Sequence, residues 1–253
     1  MLTPEQAAQY REEGWCILPR AIPENLLGLL RSECQAFIDL KDAEMDRLGT
    51  DTAGISHRGK RYFIANCHLV RSQLREFLFG SLMAGVCRDT LGPDAFLFYN
   101  QYVVKGAEGG MRFSWHQDSG YVNKDGDTGH QPYLTCWCPL DDVTEANGTI
   151  YVLPYSRAGT RDWVPHVHDP ATNDWVGYHG EDRGIPVEVP AGSIVLFSST
   201  VFHASGANQT DRMRRVFLAQ YSAAPIMKAD GSGLWAHAEP VMHQSYMPQT
   251  EPA

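Results

Sequence analysis

Through the N-terminal third of the chain apolar residues recur at helical spacing, and beyond it they gather into short runs of β-branched and aromatic residues. Thr3-Pro4-Glu5-Gln6 joins an N-cap hydroxyl, a proline in the first turn and a glutamine at the capping-box position, so a helix starts there and ends at Gly14. Trp15-Cys16-Ile17-Leu18 reads as a short strand closed by Pro19. Pro23 opens a second helix, in which Leu26, Leu27, Leu30, Cys34, Phe37 and Ile38 make a stripe at three-four spacing that suits a sheet face. Residues 41–60 are polar and punctuated by Gly49, Gly54 and Gly59, which predicts a mobile loop near a cavity mouth. Arg61-Tyr62-Phe63-Ile64 returns to an extended pattern, and residues 72–91 read as a further helix ending at Leu91-Gly92-Pro93.

From residue 95 onward the pattern is that of strands: Ala95 to Val104, Phe113 to His116, Tyr133 to Leu140, Thr149 to Leu153, Pro186 to Val189, Ser193 to Phe197 and Arg215 to Tyr221. Turn signals at Asn147-Gly148, Pro190-Ala191-Gly192 and Gly206-Ala207-Asn208 separate them. Many short strands with such punctuation predict a mainly β sandwich or barrel core decorated by N-terminal helices. Residues 156–184 break the rhythm with polar, aromatic and basic residues. A segment of that length inside a compact domain is either a functional lid or an ordinary surface loop, and the pattern alone leaves both open. One domain is expected over 1–253: residues 1–94 as mainly helical support, 95–225 as the β core with the insert 156–184, and 226–253 as a C-terminal tail.

Composition narrows the function classes. Apolar content of 43% and charged content of 20% are ordinary for a globular protein. A net charge of −9 with no basic stripe argues against nucleic-acid binding. No stretch approaches the roughly 20 apolar residues of a membrane span, and the polar, acidic start is unlike a signal peptide, so a cytosolic location is expected. The partner is expected to be a small molecule, with the chain a monomer or homodimer. Six scattered cysteines, including Cys136-Trp137-Cys138, are expected to be reduced and packed, since free cysteine behaves as a small hydrophobe.

The chemistry concentrates in two stretches. In His116-Gln117-Asp118 an imidazole and a carboxylate stand two residues apart, which in an extended chain puts both on one face. His203, after the run Ser193 to Phe197, is the best distant third ligand. Two imidazoles and one carboxylate with the other positions open form the ligand set of non-haem Fe(II) oxygenases. His179-Gly180-Glu181 offers the same ligand types at the same spacing but lies in the irregular insert. His166-Val167-His168 reads as insert residues touching substrate or solvent, and His57, His68, His130, His237 and His243 as surface or packing residues. A keto diacid chelating the iron needs a cation for its far carboxylate, and an arginine fork matches that group. Arg214 is expected to return beside the histidine strand across the turn after Gly206, with Ser205 on the face of His203. Arg214 and Arg215 point to opposite faces, and spacing alone does not choose between them.

At this point the chain resembles the phytanoyl-CoA hydroxylase-like family of Fe(II)- and 2-oxoglutarate-dependent oxygenases over nearly its whole length. The resemblance rests on an ordered set: the opening "GWCILPRAIP", the ligand motif "WHQDSGY", "LDDVTEANGTIYVLPYSR", and the closing "AGSIVLFSSTVFHASGANQTDRMRRVFLAQY". It implies a double-stranded β-helix (jelly roll, cupin-like) with helices packed on one sheet. It implies His116, Asp118 and His203 as iron ligands, and Arg214 and Ser205 as holders of the distal carboxylate of 2-oxoglutarate. Trp137 matches a co-substrate-packing tryptophan and Gln101 a strand position lining the same site. Tyr155 and Arg157 stand where the family has Gly and His, a departure in a loop. The implied activity is O2-dependent hydroxylation of an unactivated C–H bond with release of succinate and CO2. Halogenation would need a small residue in place of Asp118. A metal- and 2-oxoglutarate-binding sensor and a cupin-like barrel protein are the readings from other classes. The insert, with Arg157, Arg161, His166 and His168 beside Trp163, Trp175 and Tyr178, is expected to cover a modest-sized polar or carboxylate-bearing metabolite.

Overall fold

The computed structural model describes residues 1–107, 109, 112–123, 128–170 and 174–242. His243, read above as a surface or packing residue, and the rest of the tail lie outside them. The first helix, α1 (Pro4–Glu13), opens with the expected capping box: Thr3 Oγ1 accepts the Gln6 N–H at 3.2 Å and Gln6 Oε1 accepts the Thr3 N–H at 2.9 Å. Such a cap stabilises a helix by about 1 kcal/mol. The helix closes on Gly14 at φ +78°, where a Cβ would lie 2.5 Å from both Tyr155 and Val201. Strand β1 (Trp15–Leu18) follows as expected.

Helix α2 (Glu24–Leu48) runs past the expected stripe and corrects the reading of residues 41–60 as a loop. Met45, one heptad beyond Ile38, is fully buried and continues the stripe, so the polar residues that suggested a loop are the helix's outer side. Gly49 ends the helix in the left-handed region, and a small hairpin follows, β2 (Thr52–Ala53) and β3 (Ser56–His57), then β4 (Arg61–Ala65). The helix expected over 72–91 is instead two helices, α3 (Arg75–Leu78) and α4 (Ser81–Thr90). At Gly80 the chain passes so close to Glu76 that a Cβ would sit 2.3 Å from its carbonyl oxygen, and the helix breaks there.

The remaining elements are β5 (Ala95–Lys105), β6 (Phe113–His116), α5 (Ser119–Val122), β7 (Leu134–Pro139), β8 (Ile150–Leu153) and α6 (Tyr155–Ala158). They are followed by β9 (Val167–Asp169), β10 (Asp174–Val176), β11 (Ile185–Pro186), β12 (Ile194–Ser198), β13 (Phe202–Ser205), β14 (Arg214–Ser222) and β15 (Glu239–Met242). The strand expected over 186–189 shrinks to β11, although Val187 and Val189 stay buried. A large antiparallel sheet has the order β1-β12-β7-β14-β5-β4-β3-β2, with β15 also on β5, and a smaller one the order β11-β8-β13-β6. This is the jelly roll with helices on one sheet. The insert is not structureless: β9 and β10 form a ribbon, and the Gly177 N–H donates to the Trp115 carbonyl at 2.9 Å. No helix among the described residues is long and apolar enough to cross a membrane.

Strand parity decides what each side of the large sheet does. On β7, Leu134, Cys136 and Cys138 enter the helix-side layer with Leu30, Phe37 and Phe77, while Trp137 enters the layer between the sheets. On β14, Phe217, Ala219 and Tyr221 face the helices, and Arg214, Leu218 and Gln220 face a cavity between the sheets. All six cysteines are free thiols in the helix-side layer. Burial pushes Cys16, Cys34, Cys67 and Cys87 up to about 12, so they behave as apolar filler, as expected.

Candidate metal and co-substrate site

His116 ends β6 and His203 lies on β13, a strand the pattern did not mark, and the two residues are direct antiparallel partners. Their ring centroids are 4.2 Å apart. Asp118 reaches the same point from the turn that begins α5, with helical backbone angles, so a turn and not an extended strand brings it beside His116. Asp118 Oδ1 lies 4.0 Å from His116 Nε2 and 3.6 Å from His203 Nε2. The donor atoms of the three residues all fall within 4.8 Å of one another, the one such cluster among the described residues.

Hydrogen bonds set the tautomers. His116 Nδ1 lies 2.7 Å from the Ser114 carbonyl and His203 Nδ1 3.2 Å from the Val201 carbonyl. A carbonyl only accepts, so each Nδ1 carries the proton and each Nε2 turns a lone pair to the common point, as a metal ligand must. Burial, and then the neighbouring His203, hold His116 below the ordinary histidine range, which favours the neutral, ligating form. The second oxygen of Asp118 accepts from Thr135 Oγ1 at 2.5 Å and Gln220 Nε2 at 3.0 Å, leaving Oδ1 aimed at the histidines. These residues fit a divalent metal: two neutral imidazoles and an oriented carboxylate on one side, open space on the other.

A cavity of about 700 Å³ opens from this point, and Gln101, Trp137, Ser205 and Arg214 line it together with the His-Asp-His cluster. All of the site residues expected from the sequence therefore meet in one place. Arg214 is 1% exposed. Its Nη2 donates to the Gly148 carbonyl at 2.8 Å, but Nε and Nη1 are buried without a hydrogen-bond partner among the described residues. Each such orphan costs on the order of 1–3 kcal/mol, and an anion in the cavity would relieve both. The guanidinium stands 5.6 Å above the Trp137 ring. Burial pulls Arg214 down to about 10, which still leaves it cationic at neutral pH. Arg215 points the other way, into a two-bond pair with Asp141 at 3.0 and 2.6 Å.

One expectation about placement is corrected. Arg214 does not return beside the histidine strand through a hairpin. The segment after Ser205 crosses from the small sheet to the large one, so Ser205 and Arg214 line the cavity from different sheets. Lys105, paired with Arg214 in register and 1% exposed, was not singled out in the sequence, nor were Thr135 and Gln220. Parity could have marked all three: Lys105 shares the face of Gln101, Thr135 that of Trp137, and Gln220 that of Arg214.

The insert contributes less to the cavity than expected. Asp174 and Trp175 line it, but Arg157 pairs with Asp182 and Arg161 donates to the Arg11 and Glu12 carbonyls. His166 Nε2 accepts the Gln117 N–H at 2.8 Å, while the fully buried Gln117 side chain bonds Asp162, Val164 and Thr200. The insert is thus tied to the metal motif itself. His179 and Glu181 are exposed and join no ligand cluster among the described residues, and the His168 ring lies tilted against Trp175 with centroids 5.3 Å apart. His68 is a buried packing residue, one of the two roles expected for it, and bonds Glu239 and Asn100.

The sequence model of a family described as phytanoyl-CoA dioxygenase matches residues 10–216. An L-proline trans-4-hydroxylase of Streptomyces griseoviridis is 24% identical over 236 residues, 85% of this chain and 84% of its own. A 2-aminoethylphosphonate dioxygenase of the uncultured bacterium HF130_AEPn_1 is 26% identical over 230 residues, 87% of this chain and 81% of its own. Among solved structures, the non-heme monooxygenase ThoJ in its apo form has a TM-score of 0.71 at 24% identity, covering 94% of this chain and 84% of that one. The non-heme alpha-ketoglutarate-dependent carbocyclase SnoK of nogalamycin biosynthesis has a TM-score of 0.69 at 19% identity, covering 91% and 88%.

Proposed function

The chain belongs to the phytanoyl-CoA dioxygenase family, and we propose that within it His116, Asp118 and His203 hold the Fe(II) while Arg214 and Ser205 receive the distal carboxylate of 2-oxoglutarate. The protein is a 2-oxoglutarate-dependent dioxygenase that uses Fe(II) and O2 on a small molecule. Bound iron supplies the oxidising chemistry, coupling O2 and the decarboxylation of 2-oxoglutarate to succinate and CO2 with hydroxylation of a substrate C–H bond. The chain's own residues do the rest. Thr135 and Gln220 orient Asp118, the Ser114 and Val201 carbonyls fix the imidazoles, and Trp137 and Gln101 pack the co-substrate against Arg214. The observation that carries this reading is Arg214, buried with two guanidinium nitrogens that have no partner among the described residues, in the cavity that holds the His-Asp-His cluster. The carboxylate of Asp118 speaks against halogenation.

The substrate is read from the rest of the cavity. Phe63, Tyr99, Tyr121, Trp175 and Trp235 give it aromatic walls, and Arg61 and Asp174 give it one group of each charge. Such walls take an apolar ring or chain; Arg61 and Asp174 attract one another, and Asp174 also accepts the Ser114 N–H at 2.9 Å, so a ligand's carboxylate and amine would join groups that already have partners. The relatives named for L-proline and 2-aminoethylphosphonate act, by those names, on small zwitterions. We therefore favour a modest-sized metabolite bearing a carboxylate or other acidic group, with β10 of the insert as one wall. The six reduced thiols suit a cytosolic setting. Residues 1–253 are taken as one oxygenase domain.

Succinate release from 2-oxoglutarate with Fe(II) and O2, across a panel of carboxylates, amino acids and ring-bearing amines, tests this. One class should stimulate succinate release, and Arg61→Met should raise KM for that class while leaving the 2-oxoglutarate requirement unchanged. Tight 2-oxoglutarate binding with no compound stimulating turnover would favour the sensor reading instead.

A further inference from the structure

Lys105 is the one lysine among the largest fully buried side chains, and neither the metal nor the carboxylate-binding reading uses it. It ends β5, directly opposite Arg214 on β14. Its Nζ reaches across to the small sheet, bonding Ser205 Oγ at 2.8 Å and the Gly206 carbonyl, with the Gly148 carbonyl at 3.4 Å. The Phe113 ring centroid lies 5.1 Å away. No carboxylate among the described residues pairs with it. Gly148 is shared: its carbonyl also accepts from Arg214 Nη2 at 2.8 Å. Two buried basic side chains therefore meet at one carbonyl with no carboxylate pairing Lys105 among the described residues.

Around Nζ stand two carbonyls, which only accept, and one hydroxyl, which either gives or accepts. An ammonium satisfies all three by donating to each. Ser205 Oγ then serves as an acceptor toward Lys105, and its own O–H, which has no acceptor among the described residues, is left for the cavity that Ser205 lines. We propose that Lys105 is a positioning residue for the co-substrate: it holds Ser205 so that the hydroxyl donates to the carboxylate received by Arg214, and so makes the pocket select keto acids with a second carboxylate. The inference rests on the reading of Arg214 and Ser205 given above. Burial and then Arg214 push Lys105 down to about 5, and a carboxylate held by Arg214 would favour its ammonium form.

Calorimetric titration of the Mn(II)-loaded protein with 2-oxoglutarate and with pyruvate, a keto acid without the far carboxylate, tests this directly. Lys105→Met should raise the Kd for 2-oxoglutarate on the order of tenfold, as loss of a charge-assisted hydrogen bond does, and leave pyruvate binding unchanged. Unchanged pyruvate binding also shows that the variant is folded. If Lys105 acts through Ser205, then Ser205→Ala should weaken 2-oxoglutarate similarly, and the double variant should be no worse than the worse single one. Additive losses, or a Lys105→Met Kd equal to wild type or tighter, would overturn the proposal. The tighter or unchanged result is what a neutral amine accepting the Ser205 proton would give. Arg214→Ala separates the two levels. If it leaves 2-oxoglutarate binding intact, the carboxylate reading itself fails, and if it alone weakens binding, only the role of Lys105 fails.

Discussion

At the residue scale the site depends on which oxygen, nitrogen or guanidinium edge faces the common point. Asp118 is useful as a ligand only because Thr135 and Gln220 occupy its second oxygen, and Gln220 also donates to Thr135 at 3.1 Å, tying the three together. Thr135→Val keeps the shape and removes the hydroxyl. It should lower metal affinity by about 10–100-fold, the usual cost of losing a partner that orients a ligand, with little change in folding. Equilibrium dialysis against Mn(II), with circular dichroism as the folding control, measures it. Much of this scale was legible in the chain. The pair His116 and Asp118 comes from the ligand motif, although a turn and not strand parity joins them, and the distant His203 and Ser205 with Arg214 come from the closing motif. Lys105 was not legible as a buried group, because a lysine at a strand end ordinarily reads as a solvated charge, and only the crossing between the sheets buries it. Spacing alone left Arg214 and Arg215 open and the resemblance chose Arg214; the structure adds that Asp141 claims Arg215 from the outer side.

At the scale of elements, the strands were readable where aromatic and β-branched residues gather in a run bounded by turn signals, as in β5, β7 and β14. They were not readable where an element is short or its partner lies far away. β13 carries His203 in four residues, and β2, β3, β9, β10 and β15 are no longer, so none offers a period to detect. α2 was cut short because its outer face is polar, although Met45 kept the stripe. One buried amide ties the insert to the metal motif. Gln117 gives Nε2 to the Asp162 and Thr200 carbonyls at 2.9 and 2.6 Å and takes the Val164 N–H at 2.9 Å. Gln117→Leu would orphan these groups at a cost of about 1–3 kcal/mol each. The expected result is a lower Tm and faster amide exchange at residues 162–166, with metal affinity falling as His116 and Asp118 lose their frame. Unchanged exchange in that segment would mean that other contacts hold the insert.

At the scale of the molecule, two sheets and a helical layer divide the labour. The helix side of the large sheet packs an apolar layer that includes all six cysteines, and the groups assigned to chemistry face the cavity between the two sheets. The placement follows from parity on a few long strands, which is why composition and periodicity could forecast a β core with N-terminal helices but not the order of its strands. The closing of the small sheet over β5, β7 and β14 is a long-range event, and it alone brings residues from β6, α5, β13 and β14 to one cavity.

Anaerobic titration of the Fe(II)-loaded protein with 2-oxoglutarate, followed by the visible charge-transfer absorption of a keto acid chelated to Fe(II), tests the central claim most directly. The wild type should saturate at one chelate per chain, and the His116→Ala/His203→Ala double variant should show no band. Arg214→Ala should keep the band but need on the order of 100-fold more 2-oxoglutarate, the cost of removing one partner of a buried charge pair. An undiminished band in the double histidine variant, or none in the wild type, would contradict the account.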